Sequence, residues 1–176
     1  MKKPDLARRI NQLLSAGAER AAVFTHLRGR VPDNELAHLI ASHADPRRCA
    51  AHLLKIRILV VAVGLLGLLA LLPLADFGLG SLAFWLFGSV IVATHALLAW
   101  GIHRHAAMAY TAYIVLSVVE IGTQLDNFRS HPVSVVVFTV LGLAFIGFAL
   151  RVRALLYPDL GVMGPRRVKG EYRFSS

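Results

Sequence analysis

The chain has 176 residues, of which 56% are hydrophobic and only 16% charged, with a mean hydropathy of +0.61. A soluble domain of this length cannot hide so much apolar side chain from water, and two full soluble domains do not fit. The net charge of +9 would suggest nucleic acid in a soluble protein, but 17 of the 19 Lys and Arg lie at or before Arg57 and at or after Arg151, as membrane orientation and anionic headgroups require.

Met1-Lys2-Lys3 starts like a signal peptide, but no apolar run follows until Ile56, so no cleavable signal is expected. Residues 4–44 read as three short helices. In the first, Leu6, Ile10, Leu13 and Leu14 share one face, and Gly17 sits where a helix stops. The second, about Glu19–Leu27, offers Ala22, Val23, Phe24 and Leu27 and ends at Gly29. Pro32-Asp33 opens the third, with Leu36, Leu39 and Ile40 inward. Forty-odd residues bury too little surface to be secure alone, so this helical module should lean on the membrane helices, another subunit or a partner. Its basic residues scatter instead of lining one helix, which argues against a DNA-binding helix-turn-helix and against nucleic acid as a partner. Asp45-Pro46 then caps a helix expected to run unbroken into the first span.

Four apolar stretches follow: Ile56–Leu74, Leu82–Ile102, Ala106–Leu125 and Val133–Leu150. Each approaches the ~20 helical residues that cross a bilayer. The fourth is the shortest, and snorkelling by Arg151 and Arg153 would extend it. Lys55, Arg57 and nine further basic residues precede span 1, and Arg104 marks the loop between spans 2 and 3. The Asp76-containing loop has no basic residue, whereas Arg129 is balanced by Asp126. Arg151, Arg153, Arg166, Arg167, Lys169 and Arg173 follow span 4. Both termini and the second loop are therefore expected in the cytoplasm, with Lys55, Arg57, Arg104, Arg151, Arg153, Arg166 and Arg167 at lipid headgroups. Short loops make the spans antiparallel neighbours in an up-down bundle, with Pro132 as a first-turn residue of the fourth. The expected fold is all-α and polytopic: a cytoplasmic helical module over 1–45, four transmembrane helices over 46–155 and a basic tail over 156–176.

The tail changes period. Val168, Tyr172 and Phe174 alternate with polar residues, which predicts an extended segment. It reads either as a recognition element, adding to a partner or folding back on the N-terminal helices, or as an interfacial tail with its aromatics among headgroups.

Within the spans, the ionisable residues well inside are His95 and Glu120. Tyr110, Tyr113, Ser117, Glu120 and Gln124 are spaced 3, 4, 3 and 4 apart, a polar stripe that should face the bundle interior or another subunit. Counted from the cytoplasmic side, His95 and Glu120 differ in depth by roughly 9 Å, too far for direct contact between upright helices; Thr94, Ser117 or a water would have to bridge them, or a tilt bring them together. The pair reads either as neutral packing, with His95 bonded to Thr94 or a tyrosine, or as part of a proton path. His103-Arg104-His105 lacks a third ligand nearby, so no metal is expected. Cys49 is alone, excluding an internal disulfide. Gly88, Val92, Ala96 and Ala99 give span 2 a smallish packing face. No HExxH, GxSxG, P-loop, dinucleotide or haem motif appears, so no enzyme and no cofactor are expected.

Two stretches, Ala21–Gly29 with Glu35–Pro46 and Leu156-Tyr157-Pro158-Asp159-Leu160 with Val168–Phe174, resemble a group of small four-span inner-membrane proteins of Gram-negative bacteria. The resemblance implies location in the inner membrane and carries no activity. The expected function is that of a non-enzymatic interaction or accessory protein, working through its cytoplasmic ends and the span 3 stripe, as a homo-oligomer or with a membrane protein partner. The alternatives are an oligomeric pore or proton-coupled transporter using Glu120 and His95, and an immunity protein against a pore-forming toxin.

Overall fold

The computed structural model describes residues 3–72, 74, 78–125, 129, 132–161, 164–168 and 170–174. Most of the first loop around Asp76 and of the third around Asp126 and His131 falls outside them. The chain is almost entirely helical and divides into two compact units, residues 47–153 and residues 1–46 with 154–176.

In the first of these, α4 (Pro46–Ala51) and α5 (Leu53–Leu69) are followed by α6 (Leu82–His103), α7 (Ala107–Leu125) and α8 (Pro132–Leu156). α6, α7 and α8 are long and apolar enough to cross a membrane. α5 makes a fourth span if it is counted with the helical residues before its break. Large apolar side chains cover the outside of all four, including Leu65, Trp85, Val118 and Val140, as lipid-facing helices require. α5 and α6 run antiparallel, with Gly67 against His95 and Gly88 against Leu71. α6 and α7 form a hairpin closed by residues 104–106, where Gly101 meets Ala109. α8 approaches α7 where Gly142 lies under Ile121.

One expectation about the helix ends is corrected. The helix from Pro46 does not continue into span 1. It breaks at His52, whose φ of −115° and ψ of 17° fall in the bridge region. At the other end, α8 runs past Leu150 through Arg151 and Arg153 to Leu156. Ile146, Ala149, Val152 and Leu156 carry one buried stripe across the expected end, and arginine is too good a helix former to interrupt it. Arg153 lies on this stripe and is buried, so it does not reach out to headgroups as expected.

In the second unit, α1 (Lys3–Ser15), α2 (Arg20–Leu27) and α3 (Asp33–Ala41) pack around Leu6, Ile10, Val23, Leu27, Leu36 and Ile40. Leu13, Leu14, Phe24 and Leu39 border this core, while Ala22 faces outward. Gly17 (φ 87°) and Gly29 (φ 80°) take the left-handed conformation that ends α1 and α2 and that a side chain would strain. The tail is a small hairpin. β1 (Arg167–Val168) pairs antiparallel with β2 (Glu171–Tyr172), turning through Gly170 (φ 85°). The extended pattern read from alternation is thus realised as two strands.

The Arg20 guanidinium joins these parts, donating to the Asp159 carboxylate at 2.5 Å and to the His43 carbonyl at 3.1 Å. Nδ1 of His43 meets Oδ1 of Asn11 at 2.9 Å, tying α1 to the residues after α3. Burial, and then the Arg20 charge, hold the His43 pKa below its ordinary value, against a smaller opposing pull from Asp45. The unfolded chain therefore binds more protons than the folded unit between the two pKa values, and stability is fully present above about pH 6.5 and lost below it. Hydrogen exchange in α1 and α3 should accelerate between about pH 7 and about pH 5 relative to intrinsic rates. His43→Gln should remove that acceleration.

Candidate functional site

The α7 stripe turns inward, as its spacing requires, but not evenly. Tyr110 and Tyr113 are fully buried and Ser117 nearly so, whereas Glu120 and Gln124 are half-buried. The Tyr110 hydroxyl points at the Ile102 carbonyl, 3.5 Å away across the α6–α7 hairpin. The Tyr113 hydroxyl lies beside Ser117 and Glu120. The stripe therefore begins buried, with Tyr110 reaching across to α6, and becomes more accessible towards the middle of the span.

At that transition Nε2 of His95 comes within 3.6 Å of Oε1 of Glu120. The approach is direct, one of the possibilities that the residue count left open. Such a count follows Cα positions, but side chains lean towards the N-terminus of their own helix. α6 runs towards the hairpin turn and α7 away from it. His95 therefore leans away from the turn and Glu120 back towards it, and the two leanings close the axial gap. The separation is that of an ion pair, longer than a hydrogen bond.

Three neighbours fix the imidazole. Nδ1 lies 3.0 Å from the Ile91 carbonyl, one turn back on α6. A carbonyl only accepts, so Nδ1 carries a proton and Nε2 is the atom left to face Glu120. The two atoms that face each other, a ring nitrogen and a carboxyl oxygen, are both able to take up and release a proton. Behind the ring, Gly67 leaves no space, since a Cβ there would stand 2.6 Å from the His95 Cβ and 2.7 Å from its Cγ. His95 is 5% exposed and the Glu120 side chain 40%, so one partner is enclosed and the other open on one side. Thr94 is no bridge between them, because its hydroxyl donates to the Val90 carbonyl at 2.8 Å. Sequence reasoning passed over Gly67 and Ile91. A glycine on the helix before a buried histidine is the one signal that could have pointed to Gly67.

The other expected site residues lie elsewhere. Tyr172 and Phe174 pack their rings on Phe24, each with centroids 5.5 Å apart, while Val168 is exposed. This is the fold-back reading of the tail; these two aromatics are held by the chain's own helix. Arg167 lies over the Tyr172 ring at 4.6 Å and donates to its hydroxyl. Arg104 lies 4.8 Å over Trp100. Arg57, Arg151 and Arg166 are exposed and Lys55 is partly so. In the 104–106 turn, His105 takes a left-handed φ of 55°. Burial, and then the nearby His103, push its pKa down. Among the described residues, no three His, Cys, Asp or Glu side chains gather as a metal site needs.

Comparison with protein-family models, with curated proteins and with solved structures finds no match to this chain.

Proposed function

We propose that this chain is a non-enzymatic inner-membrane protein of a Gram-negative bacterium, crossing the bilayer four times as an up-down bundle with both termini in the cytoplasm. It acts by associating within the membrane, with further copies of itself or with another membrane protein, through the Glu120 face of α7. The supporting observation is the Glu120 side chain, 40% exposed and held from one side by His95. Glu120 stands ~20 Å along a helix that crosses ~30 Å of hydrocarbon. An ionisable group open to lipid at that depth costs several kcal/mol unless a second polar surface covers it. The basic residues before Arg57, at Arg104 and after Arg151 support the orientation, and the resemblance of both chain ends supports the location. Because Tyr172 and Phe174 are engaged with Phe24, the cytoplasmic contribution to association comes from the surface of the folded unit and not from a free tail.

The test is the mass of the particle extracted in native nanodiscs. Wild type is expected as a multimer or with a stoichiometric partner, and Glu120→Leu as a single chain. A wild-type particle of one chain alone, or an assembly unchanged by Glu120→Leu, refutes the reading.

A second reading has one observation in its favour: the approach of Nε2 to Oε1 at 3.6 Å, which sets two proton-accepting groups face to face. In an oligomer with Glu120 lining an axis, a proton taken up by this pair would be the one moved or exchanged for a small cation. Glu120→Gln should then abolish proton flux in liposomes, and flux equal to wild type would end this version.

A further inference from the structure

The unit formed by the chain ends contains a feature unconnected with Glu120. Between α1 and the end of α2 lies an open cavity of about 430 Å³, lined among others by Asp5, Arg8, Arg9, His26 and Arg30 with Leu27 at its side. Two neighbouring positions of α1 supply Arg8 and Arg9. Arg30 arrives from another element: Gly29, in its left-handed conformation, reverses the chain after α2, and the Arg30 N–H donates to the Leu27 carbonyl at 3.3 Å. Three arginines from two elements thus line one concavity, with Gly29 placing Arg30 beside α1.

The balance of charge around the cavity is the second point. In this unit Arg20 pairs with Asp159 and Arg28 with Asp33, and among the described residues no ion pair reaches Arg8, Arg9 or Arg30. Asp5 is the one carboxylate on the lining, so three arginines against it leave a charge of +2. Like charges crowded in a concave site repel one another and raise the local potential for an anion. A guanidinium presents a planar fork of donors that matches phosphate oxygens two at a time. His26 and Gln12 add further hydrogen-bonding groups, and Leu27 gives one apolar wall. The volume lies within the range of small-ligand sites.

We infer that this cleft binds a phosphate-bearing ligand, with Arg8, Arg9 and Arg30 as the phosphate contacts. The chemistry is shared by a free phosphate compound, such as a nucleotide, and by the headgroup of an anionic phospholipid.

The experiment uses the full-length protein in detergent, with three probes. ATP and pyrophosphate represent free phosphate and are titrated calorimetrically. Phosphatidylglycerol, set against phosphatidylcholine, represents the headgroup and is followed by native mass spectrometry. Saturable binding of at least one phosphate probe is expected, with ATP or pyrophosphate indicating a soluble ligand and selective retention of phosphatidylglycerol alone indicating a lipid. Arg9→Ala with Arg30→Ala should weaken that binding about a hundredfold, roughly tenfold for each charge-assisted contact. Both side chains are exposed, so the thermal midpoint should not move. Arg28→Ala with Arg173→Ala removes the same charge outside the cleft and should change affinity by less than about threefold. The inference is overturned if no probe binds saturably, if the cleft variant binds as wild type, or if the two double variants lose affinity equally, since that would be diffuse attraction.

Discussion

Gly67→Ala is expected to destabilise the 47–153 unit by about 1–3 kcal/mol, the usual cost of forcing extra volume into a closed contact. The clash is with the stem of His95, since the new methyl would stand 2.6 Å from its Cβ and 2.7 Å from its Cγ. Neither atom can swing aside without moving α6 or turning the ring off the Ile91 carbonyl and away from Glu120. In a detergent melt the midpoint should fall by several degrees. Gly64→Ala is the internal control. It lies one turn earlier on the same helix with nothing within 4 Å of its virtual Cβ, and there alanine should be neutral or slightly stabilising. The cause is isolated by His95→Ala, which removes the ring that Gly67 accommodates. In that background Gly67→Ala should cost much less, giving a coupling energy of the size found for residues in contact. Equal behaviour of the two glycine substitutions would mean that α5 does not close against His95, and the enclosed half of the His95–Glu120 pair would lose its basis.

How much of this could be read in advance depends on the distance over which each residue acts. The apolar faces of α1, α2 and α3 follow local periodicity, so Leu6, Ile10, Val23, Leu27, Leu36 and Ile40 were legible as a core. The polar face of α7 was legible for the same reason. The meeting of His95 and Glu120 was not, because a count of residues along two axes omits the lean of side chains and the closeness that Gly67 permits. The break at His52 has no proline or glycine to announce it, and local propensity through Arg48, Ala50 and Ala51 favours continuing the helix. The extension of α8 beyond Leu150 was legible in Arg151 and Arg153, but the burial of Arg153 was not, because it depends on packing that no local pattern announces. Alternation in the tail announced strands but not their partner, since Phe24 lies at the other end of the chain. Contacts between the chain ends have no periodic signature, and the Arg20–Asp159 pair, 139 residues apart, belongs to that class.

Breaking that pair is expected to have the largest effect in the unit formed by the ends. Arg20 and Asp159 are 11% and 4% exposed at 2.5 Å, and Arg20 also serves the His43 carbonyl. Around Asp159 the backbone is equally committed, its carbonyl receiving the Arg166 N–H at 2.8 Å at the approach to the β1–β2 hairpin. Arg20→Ala takes the guanidinium away from a buried carboxylate, and breaking a buried pair from one side costs about 3–5 kcal/mol. The surface pair Arg28–Asp33 offers the contrast. Its side chains are 66% and 37% exposed, and Arg28→Ala should cost no more than about 1 kcal/mol. Because the buried carboxylate left behind contributes to the loss, adding Asp159→Ala to Arg20→Ala should recover part of the stability. Residues 154–174 carry the readout. In Arg20→Ala their amides should exchange rapidly, and the Tyr172 and Phe174 rings should leave Phe24, exposing the tail to protease. The helices of the 47–153 unit should keep their protection. Slow exchange throughout the tail of Arg20→Ala would show that the aromatic contacts alone hold it, and the buried ion pair would then be incidental to the docking of the two chain ends.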